Sequence, residues 1–144
     1  MAICKEAFYE GSALYFLART GNVKNIRHNS PFYVGNNRIH VLIKYSTANR
    51  SPWGFTFTPE DQSRLTNKAT TNAVVIGLIC GSDGVATLAY KSYREIVIDK
   101  EASIRISCFR KHGEHYEISG PEGVLDRKIP PSMWQRILDP PGEK

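Results

Sequence analysis

A chain of 144 residues with 41% apolar and 23% charged residues has the size and composition of one globular domain, which excludes wholesale disorder. No run approaches the roughly 20 apolar residues needed to span a bilayer. Met1 to Glu6 hold no basic segment leading into an apolar one, so neither a membrane anchor nor a secretory signal is predicted. The net charge is +5, and residues 1–50 hold all of it, with seven Lys and Arg against Glu6 and Glu10.

Along the chain, Cys4, Ala7, Phe8, Gly11, Leu14, Tyr15 and Ala18 recur at three- and four-residue spacing. That period predicts a helix over residues 4–18 with those side chains on its buried face. Residues 23–28 are weakly patterned and are expected as an edge strand. Pro31 and Gly35-Asn36-Asn37 then punctuate the chain. Over 38–46, Ile39, Val41, Ile43 and Tyr45 alternate with Arg38, His40, Leu42 and Lys44, the pattern of a half-buried strand. A third strand is expected over 53–57, with Trp53, Phe55 and Phe57 on one face.

Thr58-Pro59-Glu60-Asp61 supplies a cap, a first-turn proline and acids for a helix over about 59–66. The almost wholly apolar run 73–80 predicts a central strand. Gly81 to Gly84 then make a turn into a returning strand over 85–90. Ser92 and Glu95 have capping-box spacing for a helix over about 93–98. Residues 103–119 read as a hairpin. Pro130-Pro131 starts a short helix carrying Met133, Trp134, Ile137 and Leu138, and 139–144 are expected as a loose tail. The class is α+β: a single domain with a central mixed or antiparallel sheet flanked by short helices.

Residues 4–80 then run helix, three strands, helix, strand. In that order they resemble the core of the restriction-endonuclease-like (PD-D/E-x-K) nuclease superfamily, a helix, a three-strand meander, a helix and another strand. The resemblance implies an acid near the second strand and an acid-x-Lys on the next, holding a metal ion and its attacking water. This sequence departs from that pattern. Asn36 and Asn37 precede the 38–46 strand, which carries His40 and Lys44 but no acid. The 53–57 strand has no acid either, and Asp61, Glu6 and Glu10 lie on helices. The resemblance therefore implies a catalytically inactive or differently equipped relative.

No complete catalytic, metal or cofactor motif is legible. Cys108, His112 and His115 lack the spacing of a zinc set. No Lys-Ser/Thr completes a phosphate loop after Gly81. Arg105, Arg110, Lys111 and His115 are interleaved with Glu114 and Glu117 and are expected as a solvated hairpin. Cys4, Cys80 and Cys108 are expected as buried or half-buried free thiols in a reducing, cytoplasmic compartment.

The basic first third, rich in amide side chains, points to DNA or RNA. The candidate contacts are Lys24, Arg27, Arg38, His40, Lys44 and Arg50, with Trp53 as a stacking platform. The rival expectation is a non-catalytic protein-interaction module of inhibitor, immunity or assembly type, anchored on Trp53, Tyr33 or Trp134. Neither expectation calls for a cofactor, a metal or a membrane, and the sequence leaves the oligomeric state open.

Overall fold

A computed structural model describes residues 2–140. Helix α1 (Lys5–Ala18) leads into an antiparallel meander of β1 (Ile26–Asn29), β2 (Phe32–Gly35) and β3 (Ile39–Ser46). Strand β4 (Trp53–Phe57) and helix α2 (Pro59–Ala69) follow. Strand β5 (Ala73–Cys80) then pairs parallel with β3, and β6 (Gly84–Ala89) returns antiparallel beside it. Helix α3 (Tyr90–Ile96), strands β7 (Ile104–Phe109), β8 (Glu117–Gly120) and β9 (Gly123–Val124), and a 3₁₀ helix over Pro131–Arg136 complete an α+β domain. No described helix is long and apolar enough to cross a membrane.

The strands form two sheets. One is the central mixed sheet, ordered β1-β2-β3-β5-β6; the other is antiparallel, ordered β4-β7-β8-β9. The strand over 53–57 therefore belongs to the second sheet and not to the meander. The meander's middle strand is β2, which the sequence hides. It has only four residues, between Pro31 and the Asn36-Asn37 turn, too few for alternation to register. The turn itself behaves as its residues dictate, since Asn36 and Asn37 both sit at positive φ (53° and 57°).

Two clusters make the core. The larger fills the space between the sheets and α2, with Phe55, Phe57, Leu65, Ile76, Leu88, Ile106 and Ile118 in it. The smaller lies on the other face of the central sheet, where Ala13 and Leu17 of α1 meet Val41, Ile79 and Trp134. Because both faces are covered, Ile39 to Ile43 are all buried, not alternately buried as a half-covered strand would be.

Other local expectations shift. Helix α1 buries Ala13 and Leu17, while Phe8, Tyr15 and Phe16 face outward at 65, 54 and 42% exposure. Its apolar residues run around the whole circumference, so periodicity could not choose the face. The Trp134 indole N–H, bonded to the Ala13 carbonyl at 2.9 Å, sits on the face that is chosen. The Ser92/Glu95 capping box does not form: α3 begins after Ala89, and the Ser92 hydroxyl accepts from Arg127. The start of the expected tail is held, because Arg38 donates to the carbonyls of Leu138 and Asp139 and Asn22 donates to the Asp139 carboxylate. Residues 141–144 lie outside the described residues. Cys4 is exposed, whereas Cys80 and Cys108 are buried; all three are free.

Candidate functional site

Two adjoining clefts of opposite character share Ser30 and Pro31 of the β1–β2 turn. The larger, about 520 Å³, opens between α1, β3, β4 and the start of α2. Glu6, Glu10, His28, Lys44 and Asp61 are its ionisable lining. Of these, Glu10, Lys44 and Asp61 have partners within the chain. Thr58 and Asp61 close a capping box around the first turn of α2, and the Asp61 carboxylate also accepts from the Lys44 ammonium at 2.5 Å. Burial alone would raise the Asp61 pKa. The Lys44 ammonium and the Thr58 N–H outweigh burial and hold the carboxyl below the usual aspartate range. Lys44 also lies over the Phe57 ring, 5.2 Å from its centroid.

Across the cleft the Tyr33 hydroxyl donates to Glu10 at 2.7 Å. The Glu10 pKa is raised, first by burial and then by its neighbour Glu6, against the lowering effect of the Tyr33 bond. The Tyr33 hydroxyl is pushed up to about 12 by burial and by the Glu10 carboxylate that accepts its proton. Among the described residues no group of three or more His, Cys, Asp or Glu can hold a metal ion. The divalent ion that the nuclease resemblance implies does not fit these residues, and no metal-assisted step follows from them.

The second cleft, about 360 Å³, lies between the β1–β2 turn and α2. Arg64, Asn67, Lys68, Thr71 and Asn72 line it beside Phe32, and no carboxylate does. Helical spacing places Arg64 and Lys68 one turn apart on the same face. Arg64 reaches back to Glu60 in an exposed ion pair. Lys68 has no carboxylate partner among the described residues; its ammonium rests 5.5 Å from the Phe32 ring centroid.

Behind this cleft, Arg27, Val34 and His40 are successive register partners across three strands and share a face. His40 is buried, with its ring 6.3 Å from Phe32 and its Nδ1 without a partner. Burial lowers the His40 pKa, and Lys68 and Arg27 lower it further, so the imidazole is neutral at pH 7.

The seven residues singled out from the sequence thus separate. Arg27 and His40 gather near Lys68. Arg38 ties down the chain near residue 139, and Lys44 is paired in the acidic cleft. Lys24 is exposed in the loop before β1. Arg50 lines a third cleft with Arg110 and Lys111. Trp53 is 3% exposed, with its indole N–H bonded to the Ala48 carbonyl, so it offers no face to a base. Sequence reasoning passed over Arg64 and Lys68. Their four-residue spacing on a helix was the available signal, and its weight became visible only once the β1–β2 turn was seen to face them.

Comparison of the chain with protein-family models, with curated proteins and with solved structures finds no match.

Proposed function

We propose that this protein binds nucleic acid through the cationic cleft between the β1–β2 turn and α2, without metal-dependent cleavage. One observation carries this reading: a cleft lined by Arg64, Lys68, two amides and hydroxyls, and by no carboxylate. Cations of this kind contact phosphates, and amides and hydroxyls contact phosphate, sugar and base edges. Arg27 adds positive potential from the adjoining strand.

Element order supports the same reading. In chain order α1, the meander β1-β2-β3, α2 and β5 keep a helix, meander, helix, strand succession, with β4 of the second sheet interposed between β3 and α2, and fold alone does not settle function. The 38–46 strand carries His40 and Lys44 but no acid, and the 53–57 strand carries none either. Binding without cleavage is consistent with that departure from the motif. The three free thiols suit a reducing, cytoplasmic compartment.

The test is fluorescence anisotropy with single- and double-stranded DNA and RNA at low and moderate salt. Binding is expected at low salt and falls steeply as salt rises. No binding to any of the four at low salt defeats the proposal.

A protein-interaction module is the second reading, and α1 with the segment just before it favours it. Ile3, Phe8, Tyr15 and Phe16 are four of the seven large apolar residues exposed in the described chain. The anchors expected from sequence serve it poorly, since Trp53 and Trp134 are core residues and Tyr33 is bonded to Glu10. A Phe8→Ser/Phe16→Ser variant that keeps every association of the wild type in sedimentation and pulldown removes this second reading.

A further inference from the structure

We propose that the third cleft, between the loop over 47–52 and the β7–β8 loop, is a preformed site for a phosphate group, separate from the cleft on α2. Its volume is about 340 Å³, and Asn49, Arg50, Ser51, Arg110, Lys111 and His112 line it. Three permanent cations face one acid, Asp83. That acid is occupied, because its Oδ2 accepts from Arg110 at 2.9 Å and from the Tyr116 hydroxyl at 2.7 Å. Arg50 and Lys111 have no ion-pair partner among the described residues. The cleft therefore presents uncompensated positive charge beside neutral hydrogen-bonding groups, which is what an oxyanion requires.

Bonds within the chain hold the frame on both sides. Arg110 donates through Nε to the Glu114 carbonyl at 2.6 Å, lies 5.2 Å over the Tyr116 ring, and has its own carbonyl held by Ser51 at 3.1 Å. The opposite wall is held to the β5–β6 turn. Gly81 adopts φ +56° with its N–H bonded to the Ser46 carbonyl, and a Cβ there would collide with the Ala48 carbonyl. That same carbonyl accepts the Trp53 indole N–H at 3.0 Å. Ordering two loops normally opposes binding of a small anion, and here both are already placed. The anion can come from a nucleic-acid backbone or from a small free phosphate.

The test is a ¹H–¹⁵N NMR titration of the whole chain with inorganic phosphate, with chloride at matched ionic strength as the blank. Saturable shifts are expected in the amides of residues 49–51, 53 and 110–113. Arg50→Gln/Lys111→Gln, which alters neither Arg110 nor its partners, should weaken phosphate binding by about tenfold or more. Arg64→Gln/Lys68→Gln should leave the phosphate response unchanged. Absent or non-saturating shifts there, or shifts that survive in Arg50→Gln/Lys111→Gln, overturn the proposal. A second arm repeats the comparison with a short single-stranded oligonucleotide. A parallel loss of oligonucleotide affinity in Arg50→Gln/Lys111→Gln assigns the seat to a nucleic-acid backbone. Loss of inorganic phosphate binding alone assigns it to a small phosphate.

Discussion

The two clefts that meet at Ser30 and Pro31 differ in what their charges do. In the larger, Lys44 answers Asp61 and Tyr33 answers Glu10, so its charged groups hold α2 and α1 against the central sheet. In the smaller, Lys68 answers only the face of Phe32, and no carboxylate lines the wall. The count of basic residues in a segment is therefore a poor guide to where cations without carboxylate partners lie. Of the cations in residues 1–50, Lys44 and Arg38 are structural, while the cleft's own cations come from residues 64 and 68.

This contrast can be broken first at Asp61. Asp61→Ala removes a reciprocal cap and leaves the partly buried Lys44 ammonium without its partner. A loss of about 2–3 kcal/mol in urea unfolding is expected, with nucleic-acid affinity unchanged. A cost below about 0.5 kcal/mol would mean that the pair does not hold α2.

The pH dependence is a smaller effect, with opposite signs on the two walls. Asp61 has a lowered pKa, so its stabilisation is complete above the ordinary aspartate range and disappears as pH falls through its lowered value. Glu10 has a raised pKa, so its contribution is present below the ordinary glutamate range and is lost as pH rises through the raised value. Glu10→Gln is accordingly expected to gain in thermal midpoint relative to wild type at pH 7 and to lose that gain in acid. Thermal melts of Asp61→Asn and Glu10→Gln from acid to neutral pH read both trends. Parallel trends in the two variants would refute the assignment.

Gly54 gives the smallest expected effect. The nearest atoms a Cβ there would meet belong to the end of the Arg105 side chain, so Gly54→Ala should displace Arg105 at a cost of about 1 kcal/mol or less. A larger loss on unfolding would show that Arg105 is fastened at the rim of the acidic cleft.

Much of the fold was readable where local chemistry and tertiary demand agree. Thr58-Pro59-Glu60-Asp61 starts α2 as its residues require, and the apolar run 73–80 is β5, an interior strand of the mixed sheet. Legibility failed where the partner is distant in sequence. Strand β2 needs β1 and β3 to exist, and the buried face of α1 depends on Trp134, 121 residues from Ala13. The grouping of the candidate residues depends on distant partners in the same way. Lys68 rests on the Phe32 ring, and Arg50 shares a cleft with Arg110 and Lys111, proximities that no local spacing encodes.

The most direct measurement sets the two clefts side by side: the dependence of nucleic-acid affinity on salt for wild type, for Arg64→Gln/Lys68→Gln and for Lys44→Gln. With two phosphate contacts in the cationic cleft, the log–log salt slope should become shallower by roughly two in Arg64→Gln/Lys68→Gln. It should stay at the wild-type value in Lys44→Gln. Equal losses in both variants, or a slope unchanged in Arg64→Gln/Lys68→Gln, would contradict the assignment of binding to the cleft without carboxylates.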